Sequence, residues 1–244
     1  MTADDRTRTP RAAPRGILIV TGTGTGVGKT VVTAAIAAVA LARGHRVAVV
    51  KPAQTGITKT AGAGSEAPDA QTVRRLSGVT DIHELARFPD PLSPEAAARV
   101  SGLPPLAMAD AAGYITTIAN SRDLVLVEGA GGLLVRYDGA GTTIADLAAM
   151  LAAPVLVVTA AGLGTLSHTA LTLEAIAARK LQLAGVVIGA WPRDPGLAER
   201  ENLTDLEAVA GGPLAGLLPS GSGSLSREEF RAVALASLGQ AWGG

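Results

Sequence analysis

Gly16-Ile-Leu-Ile-Val-Thr-Gly-Thr-Gly-Thr-Gly-Val-Gly-Lys-Thr30 is the stretch of sequence that decides the fold. Its residues 17–20 form a short apolar strand pattern, and its glycine-rich remainder ends in Gly28, Lys29 and Thr30. A helical pattern rich in alanine and valine follows, to about residue 42. This order is typical of a phosphate-binding loop, in which backbone N–H groups and the helix start surround an anion. We therefore expect Lys29 to reach the terminal phosphates of a nucleotide and Thr30 to hold a magnesium ion.

The spacing of this loop indicates a subclass of nucleotide-binding proteins. In the standard loop, four residues separate the first glycine from the final Gly-Lys pair. Here Thr23 stands at that first position, and Gly22 lies one residue before it. The loop therefore predicts nucleotide binding without indicating a generic nucleotide hydrolase.

The size and composition of the chain favour one α/β domain. Of its 244 residues, 48% are hydrophobic and 17% are charged, which is enough apolar material for a sheet covered on both faces. We expect this domain to span residues 16–244. Residues 1–15 contain four arginines, two prolines and no apolar core, so we expect a disordered extension there rather than a secretory signal.

Charge and cysteine content exclude several functions. The formal net charge is zero, so we expect neither nucleic acid nor an anionic membrane as the main partner. Apolar runs are too short to span a bilayer. The chain has no cysteine, which excludes a disulfide framework, a thiolate zinc site and a cysteine nucleophile. This composition is compatible with the reducing cytoplasm, where we expect the protein.

Apolar runs recur along the chain and predict the sheet. They cover residues 17–20, 47–50, 124–127, 155–158 and 186–188. Each is nearly continuous, as expected of strands that are buried on both faces. Helical patterns at residues 31–43, 166–179 and 202–210 alternate with them, whereas residues 57–68 and 220–226 resemble loops. We predict an α/β fold with a mostly parallel sheet, helices on both faces and ligands at the carboxyl ends of the strands.

Charged residues follow the predicted strands. Lys51 comes directly after the second strand, and Asp69 begins a helical segment, where it could also be a simple N-cap. Glu128 follows the third strand and precedes a run of small residues. Because magnesium takes few protein oxygens, Thr30, Asp69 and Glu128 form a plausible set of ligands. A second glycine-bearing helix start, over residues 162–168, offers another anion site.

Four of these segments together resemble one family, the dethiobiotin synthetases. They are GTGTGVGKT at residues 22–30, KPAQTG at 51–56, EGAGG at 128–132 and LGTLSH at 163–168. Their order and approximate spacing match the family over most of the chain. The resemblance implies a P-loop fold and a reaction in which 7,8-diaminononanoate and carbon dioxide form a carbamate. ATP then phosphorylates the carbamate, and the second amine closes a ureido ring.

The resemblance also implies roles for individual residues. Thr25, Lys29 and Lys51 would stabilise the carbamate and the anionic intermediates, and Thr55 would contact the diamine. A homodimer is implied, because the helix start at Gly164, Thr165, Leu166 and Ser167 of the neighbouring subunit would hold the substrate carboxylate. Magnesium would be bound by Thr30, Asp69 and Glu128. The nucleotide site would comprise Gly26, Val27, Gly28, Lys29, Thr30, Val31, Asp69, Glu128, Gly129, Ala130, Gly131, Gly189, Ala190, Pro219, Ser220 and Gly221.

The predicted nucleobase site lacks a reading side chain. Gly189, Ala190 and Trp191 stand where other members of the family have an asparagine that reads adenine. Backbone groups remain, and they discriminate bases less than a dedicated side chain does. We therefore expect ATP as the co-substrate, with other nucleoside triphosphates such as CTP also accepted.

Two other functions share the loop. A cobyrinate-type amide synthetase would need a glutaminase domain with a cysteine nucleophile, and this chain has no cysteine. A partition or positioning ATPase that acts as a switch usually has an extra lysine near the start of the loop, where this chain has Gly24. Product analysis with the diamine separates these alternatives from the synthetase.

Overall fold

The protein is seen here as a computed structural model, which describes residues 16–57 and 67–238. The extension predicted over residues 1–15 and most of the loop predicted over residues 57–68 lie outside the described residues. Within the described part, seven strands form one parallel sheet in the order β3-β2-β4-β1-β5-β6-β7. The strands are β1 (Gly16–Gly22), β2 (Val47–Gln54), β3 (Asp81–Arg87), β4 (Leu124–Glu128), β5 (Val155–Thr159), β6 (Leu183–Trp191) and β7 (Gly216–Pro219).

Helices connect the strands and cover both faces of the sheet. They are α1 (Lys29–Ala42), α2 (Asp69–Ser77), α3 (Pro94–Ser101), α4 (Met108–Ala119), α5 (Ile144–Met150), α6 (Thr165–Ala178), α7 (Leu197–Ala210) and α8 (Arg227–Leu238). A short 3-10 turn, Ser222–Ser224, lies between β7 and α8. This arrangement confirms the predicted α/β fold with a parallel sheet.

The central strands divide their side chains between two apolar cores. Leu124 and Leu126 of β4 pack with α1, α2 and α8 on one face, whereas Val125 and Val127 pack with α3 to α6 on the other. All five β4 residues are buried, as are all eight residues of β2. Burial on both faces explains why these strands appear in the sequence as continuous apolar runs. The sheet order places the ends of β2, β4 and β1 side by side, which brings the predicted site residues together.

Three sequence expectations about these elements were incomplete. Strands β3 and β7 were not predicted, because both are sheet edges: β3 reads DIHELAR and is only partly buried, and β7 has four residues. Helices α3, α4, α5 and α8 were not predicted either. Strand β2 extends to Gln54, so Lys51 lies inside the strand rather than after it. The prediction that placed Lys51 at a strand end was therefore wrong by four residues.

Candidate functional site

The phosphate-binding loop joins β1 to α1 with two glycines in the left-handed conformation. Gly26 has a φ of 78°, and Gly28, which precedes the helix, has a φ of 96°. Lys29 is the first helical residue, and its Nζ lies 2.7 Å from the carbonyl oxygen of Gly24, across the loop. Burial, together with the Lys51 ammonium, lowers the pKa of Lys29 to about 8. Lys29 therefore bends back over the loop, and its contact with the phosphates of a nucleotide stays a prediction.

Lys51 is the centre of a buried ion cluster. Its Nζ lies 2.7 Å from Oδ2 of Asp69, 2.9 Å from Oε1 of Glu128 and 3.1 Å from the carbonyl oxygen of Gly129. An ammonium has three N–H donors, so these three acceptors satisfy it completely. Burial by itself would lower the pKa of Lys51, but the Glu128 and Asp69 carboxylates raise it above its usual value. Lys51 is therefore a fixed positive charge at neutral pH.

The predicted magnesium ligands converge on this cluster. Oγ1 of Thr30 donates to Oε1 of Glu128 over 2.8 Å, and Glu128 is the last residue of β4 with only 1% of its surface exposed. Asp69 is the first residue of α2, where its N–H donates to Oε1 of Gln54. Its carboxylate faces Lys51 and does not cap α2, since no side chain caps this helix. The Lys51 ammonium lowers the pKa of Asp69 although burial opposes this shift.

This donor set fits a magnesium ion. It consists of oxygens alone, from one hydroxyl and two carboxylates, and magnesium characteristically takes one or two carboxylates and keeps several waters. In the part of the chain that the structure describes, no group of three or more His, Cys, Asp or Glu side chains is placed to hold a metal. The predicted metal role of Thr30, Asp69 and Glu128 stays a prediction that the geometry supports.

The loop that follows β4 lies directly against the phosphate-binding loop. A Cβ added to Gly132 would lie 3.4 Å from the carbonyl oxygen of Gly22, and one added to Gly131 would lie 3.7 Å from Oγ1 of Thr25. The N–H of Ala130 donates to Oη of Tyr137 over 2.7 Å. Tyr137 is a residue that sequence reasoning missed. Its position, nine residues beyond Glu128 in a loop, carries no signal, because its contact with Ala130 depends on how that loop folds back.

Strand β6 approaches the phosphate-binding loop through Gly189. A Cβ at Gly189 would lie only 2.0 Å from the carbonyl oxygen of Val27 and 2.7 Å from Cγ1 of Val158. In the same way, a Cβ at Gly28 would lie 2.7 Å from the carbonyl oxygen of Gly189. The backbones of Gly28 and Gly189 are thus in close contact, and Gly189 packs against the side of the phosphate-binding loop. This packing supplies a physical reason for the absence of a side chain at this position.

The second helix start is built by a network of buried threonines. Oγ1 of Thr165 lies 2.7 Å from Oγ1 of Thr159 and donates to the carbonyl oxygen of Ala160. Nδ2 of Asn202, from α7, donates to the carbonyl oxygen of Ala161 over 2.7 Å. Gly164 precedes α6 in the left-handed conformation, and no side chain caps this helix. The Thr165 side chain is therefore committed to the protein interior, and the Thr165 N–H donates to the carbonyl oxygen of Gly162.

The remaining predicted residues lie around these loops at the same edge of the sheet. Thr55 follows β2 directly, and its carbonyl oxygen accepts from Nε2 of Gln54. Ala190 belongs to β6, and Ser220 donates its N–H to the carbonyl oxygen of Trp191. Because that bond joins the end of β6 to the residues after β7, it brings the two predicted nucleobase segments together. The expectation that Gly189 and Ala190 follow their strand was wrong, since β6 continues to Trp191. The other predicted positions are Val27 in the phosphate-binding loop, Val31 in α1, Leu166 and Ser167 in the first turn of α6, Pro219 at the end of β7 and Gly221 shortly after it.

The parallel sheet, the loop after β1 and the buried ions at the neighbouring strand ends define an α/β protein of the P-loop nucleotide-binding class. Solved structures with this fold include a ParA family ATPase from Chlorobium tepidum, with a TM-score of 0.53, 15% identity and coverage of 91% of this chain and 92% of that one. The septum site-determining protein MinD from Pyrococcus horikoshii gives a TM-score of 0.53 and 17% identity, with coverage of 91% and 95%. At these identities the likeness shows the fold alone.

Sequence relatives identify the family. A family profile described as "AAA domain" matches residues 16–226. The ATP-dependent dethiobiotin synthetase BioD of Frankia casuarinae is 65% identical over 227 residues, which cover 93% of this chain and 93% of that protein. The protein of the same name from Streptomyces coelicolor is 56% identical, with coverage of 89% and 90%. The chain therefore belongs to the dethiobiotin synthetase family, and it is an enzyme of the ligase class.

Among residues 16–57 and 67–238, none of the helices combines the length and the apolar character that crossing a bilayer would require.

Proposed function

We propose that the chain catalyses the nucleoside-triphosphate- and magnesium-dependent insertion of carbon dioxide between the two amines of 7,8-diaminononanoate, which gives dethiobiotin. One amine attacks carbon dioxide and loses a proton, which yields a carbamate. A carbamate oxygen then attacks the terminal phosphorus of ATP, and ADP leaves. The second amine attacks the carbon of the resulting carbamic-phosphoric anhydride, releasing phosphate and a proton as the ring closes.

The observation that carries this proposal is the place of Lys51. It is a permanently charged ammonium beside the phosphate-binding loop, since its partner Glu128 also accepts a hydrogen bond from Thr30 at the end of that loop. Each species on the proposed path after the free diamine is an anion. Fixed positive charge and N–H donors aimed at such species are the main source of catalysis in acyl and phosphoryl transfer. A nucleophilic side chain is not needed.

The other residues take positioning roles in this proposal. Lys29 and Thr25 contact the phosphoryl group and the carbamate, and Thr55 contacts the diamine. Holding both amines and the carbonyl carbon in register makes ring closure effectively unimolecular. When bound by Thr30, Asp69 and Glu128, a magnesium ion supplies positive charge beside the phosphates. Backbone groups of Gly189, Ala190 and residues 219–221 enclose the base.

The proposal includes a homodimer. The backbone N–H groups at the start of α6 form an anion site, and the uncapped turn from Gly164 to Ser167 would bind the substrate carboxylate of the partner's active site. Leu163, which precedes this turn, is 90% exposed, and Leu171 on the same helix is 61% exposed. Such apolar side chains suit a subunit interface. The proposed compartment is the cytoplasm.

The decisive experiment is a product assay. The protein is incubated with diaminononanoate, bicarbonate, magnesium and ATP, and the ureido product is sought by mass spectrometry, with each component omitted in turn. We expect product, ADP and phosphate in equal amounts in the complete mixture alone. Nucleotide hydrolysis that is equally fast without the diamine, with no ureido product, would replace this proposal by a switch ATPase. Light scattering tests whether the protein is a dimer. Mixing an inactive Lys51 variant with an inactive Thr165 variant tests whether the subunits share their sites, because a mixed dimer would contain one intact site and regain part of the activity.

A further inference from the structure

One peptide unit in the candidate site is held at both of its ends. The carbonyl oxygen of Gly129 accepts from Nζ of Lys51 over 3.1 Å, and the N–H of the same peptide, on Ala130, donates to Oη of Tyr137 over 2.7 Å. The preceding N–H, on Gly129, donates to the carbonyl oxygen of Val20 and continues the sheet. The peptide between Gly129 and Ala130 is therefore the first one beyond the sheet, and two side chains fix it.

This peptide needs an external hold. It lies in the run Gly129-Ala130-Gly131-Gly132, and glycine restricts backbone rotation less than any other residue. Gly131 has a φ of 67°, in the left-handed region. Without a partner for the Ala130 N–H, rotation of the peptide plane would carry the Gly129 carbonyl away from Lys51. The hydroxyl of Tyr137 supplies the partner that keeps the plane in one orientation.

Tyr137 is itself placed by structure that does not depend on a ligand. Its side chain is fully buried in the apolar core below the loop. Its backbone N–H donates to the carbonyl oxygen of Thr142 over 2.8 Å, next to an antiparallel bridge between Arg136 and Thr143. The hydroxyl thus has a fixed position from which to accept. Hydrogen bonds in series also polarise one another, so an acceptor at the N–H strengthens the bond at the carbonyl oxygen.

We infer that Tyr137 is a positioning residue for Lys51, which it directs through the Gly129–Ala130 peptide. Two of the three acceptors of Lys51 are carboxylates, and the Gly129 carbonyl is the neutral third. That carbonyl holds the ammonium without neutralising it, and it fixes the place of the ammonium beside the two carboxylates. The inference rests on the proposed function, in which Lys51 meets the carbamate and the anhydride.

Tyr137→Phe tests the inference, because it removes one oxygen and keeps the buried ring. The matched control is Tyr114→Phe, which removes the same atom from the other tyrosine of the chain. Tyr114 lies on α4, is 45% exposed and pairs with Nδ1 of His83. For Tyr137→Phe we expect kcat to fall about three- to tenfold, the range of one lost neutral hydrogen bond. We expect the KM for nucleotide to stay unchanged, and Tyr114→Phe to match the original protein.

Two further measurements separate positioning from general loosening of the structure. Hydrogen exchange of the Ala130 amide, followed by NMR, should become roughly tenfold faster in Tyr137→Phe and stay unchanged in Tyr114→Phe. In a double-mutant cycle with Lys51→Met, the effect of Tyr137→Phe on kcat should largely disappear, because the residue that it directs is absent. The cycle also covers the case in which Tyr137→Phe lowers the melting temperature, since a stability effect would persist without Lys51.

Several results would overturn the inference. Unchanged Ala130 exchange in Tyr137→Phe would show that the hydroxyl does not hold the peptide, whatever the activity. Faster exchange of the Ala130 amide with unchanged kcat would show that the orientation of this peptide does not affect the function of Lys51. An equally large effect of Tyr137→Phe on kcat in the Lys51→Met background would show that Tyr137 acts without Lys51. Absence of ureido product from the original protein would overturn the proposed function instead, and the exchange measurement would still decide the hydrogen bond.

Discussion

Replacing Lys51 by methionine removes the charge at the centre of the ion cluster while keeping a long apolar stem in β2. Glu128, with 1% of its surface exposed, then keeps the hydrogen bond from Thr30 but loses its ionic partner. Breaking a buried ion pair from one side costs about 3–5 kcal/mol. For a chain of this size, each kcal/mol lowers the melting temperature by roughly 2–4 °C, so we expect a loss of about 6–20 °C in metal-free buffer.

Magnesium should reverse much of this loss. The methionine leaves two carboxylates with Lys29 as their remaining nearby positive charge. An ion that binds the folded state alone stabilises that state by about 2.7 kcal/mol at a hundred times its Kd. In the original protein, Lys51 already occupies the carboxylate oxygens, so magnesium alone should stabilise it less. The gain in melting temperature on adding magnesium should therefore be larger for Lys51→Met than for the original chain.

Calorimetric unfolding with EDTA and with magnesium measures both effects. The control is Arg99→Met, which breaks the exposed ion pair with Glu95 and should cost at most about 1 kcal/mol with no dependence on magnesium. In the product assay, Lys51→Met should lose roughly a hundred- to thousandfold in kcat while nucleotide still binds. A metal-free stability within about 1 kcal/mol of the original protein would refute the buried pair as described. A loss that magnesium leaves unchanged would refute the cation site.

Three further predictions concern the nucleotide. Gly189→Ala should weaken nucleotide binding by at least tenfold in calorimetry, because its Cβ would lie 2.0 Å from the carbonyl oxygen of Val27 and displace the loop. Nucleotide affinity should be constant below about pH 8, where Lys29 is charged in the free protein, and should weaken by up to about tenfold per pH unit above it. In a competition among ATP, CTP, GTP and UTP, the preference for ATP should stay below about a thousandfold, since shape alone discriminates by roughly 10–200-fold.

Each of these has a clear contrary outcome. Full affinity in Gly189→Ala would show that β6 does not support the loop. The control is Gly113→Ala on α4, where an added Cβ meets no atom within 4 Å. Affinity that stays flat to pH 10 would show that Lys29 does not titrate in this range. A larger preference for ATP would reveal an adenine-reading group that neither Gly189 nor Ala190 provides.

The parts of the fold that could be predicted are those in which one local signal suffices. The phosphate-binding loop carries its strand, glycines and helix within fifteen residues, and the central strands are continuous apolar runs because they are buried on both faces. The edge strand β3 reads DIHELAR and interrupts its apolar residues with His83 and Glu84, so a search for apolar runs misses it. Lys51 was placed after its strand because a lysine ordinarily ends an apolar run, whereas here two carboxylates keep it buried within the strand.

Contacts between distant segments were not predictable in the same way. Tyr137 meets Ala130 because a loop folds back, and Asn202 holds the turn before α6 from another helix. Gly189 was expected to lie near the base, yet the distances to Val27 show a packing role that no composition or spacing could indicate. These contacts depend on three-dimensional arrangement, whereas residue type and order were enough to select Thr30, Asp69 and Glu128 as a group.

The charge balance of the assembled cluster adds an argument that only the structure permits. Lys29 and Lys51 supply two positive charges, Asp69 and Glu128 supply two negative ones, and all four interact. The cluster is therefore close to neutral before a ligand binds, although a triphosphate brings several negative charges. The N–H groups of the loop and the start of α1 provide partial charges only. A neutral cluster with two carboxylates beside the loop is unfavourable for a triphosphate alone and favourable for a triphosphate with a divalent cation, which is the physical reason to expect metal-dependent binding.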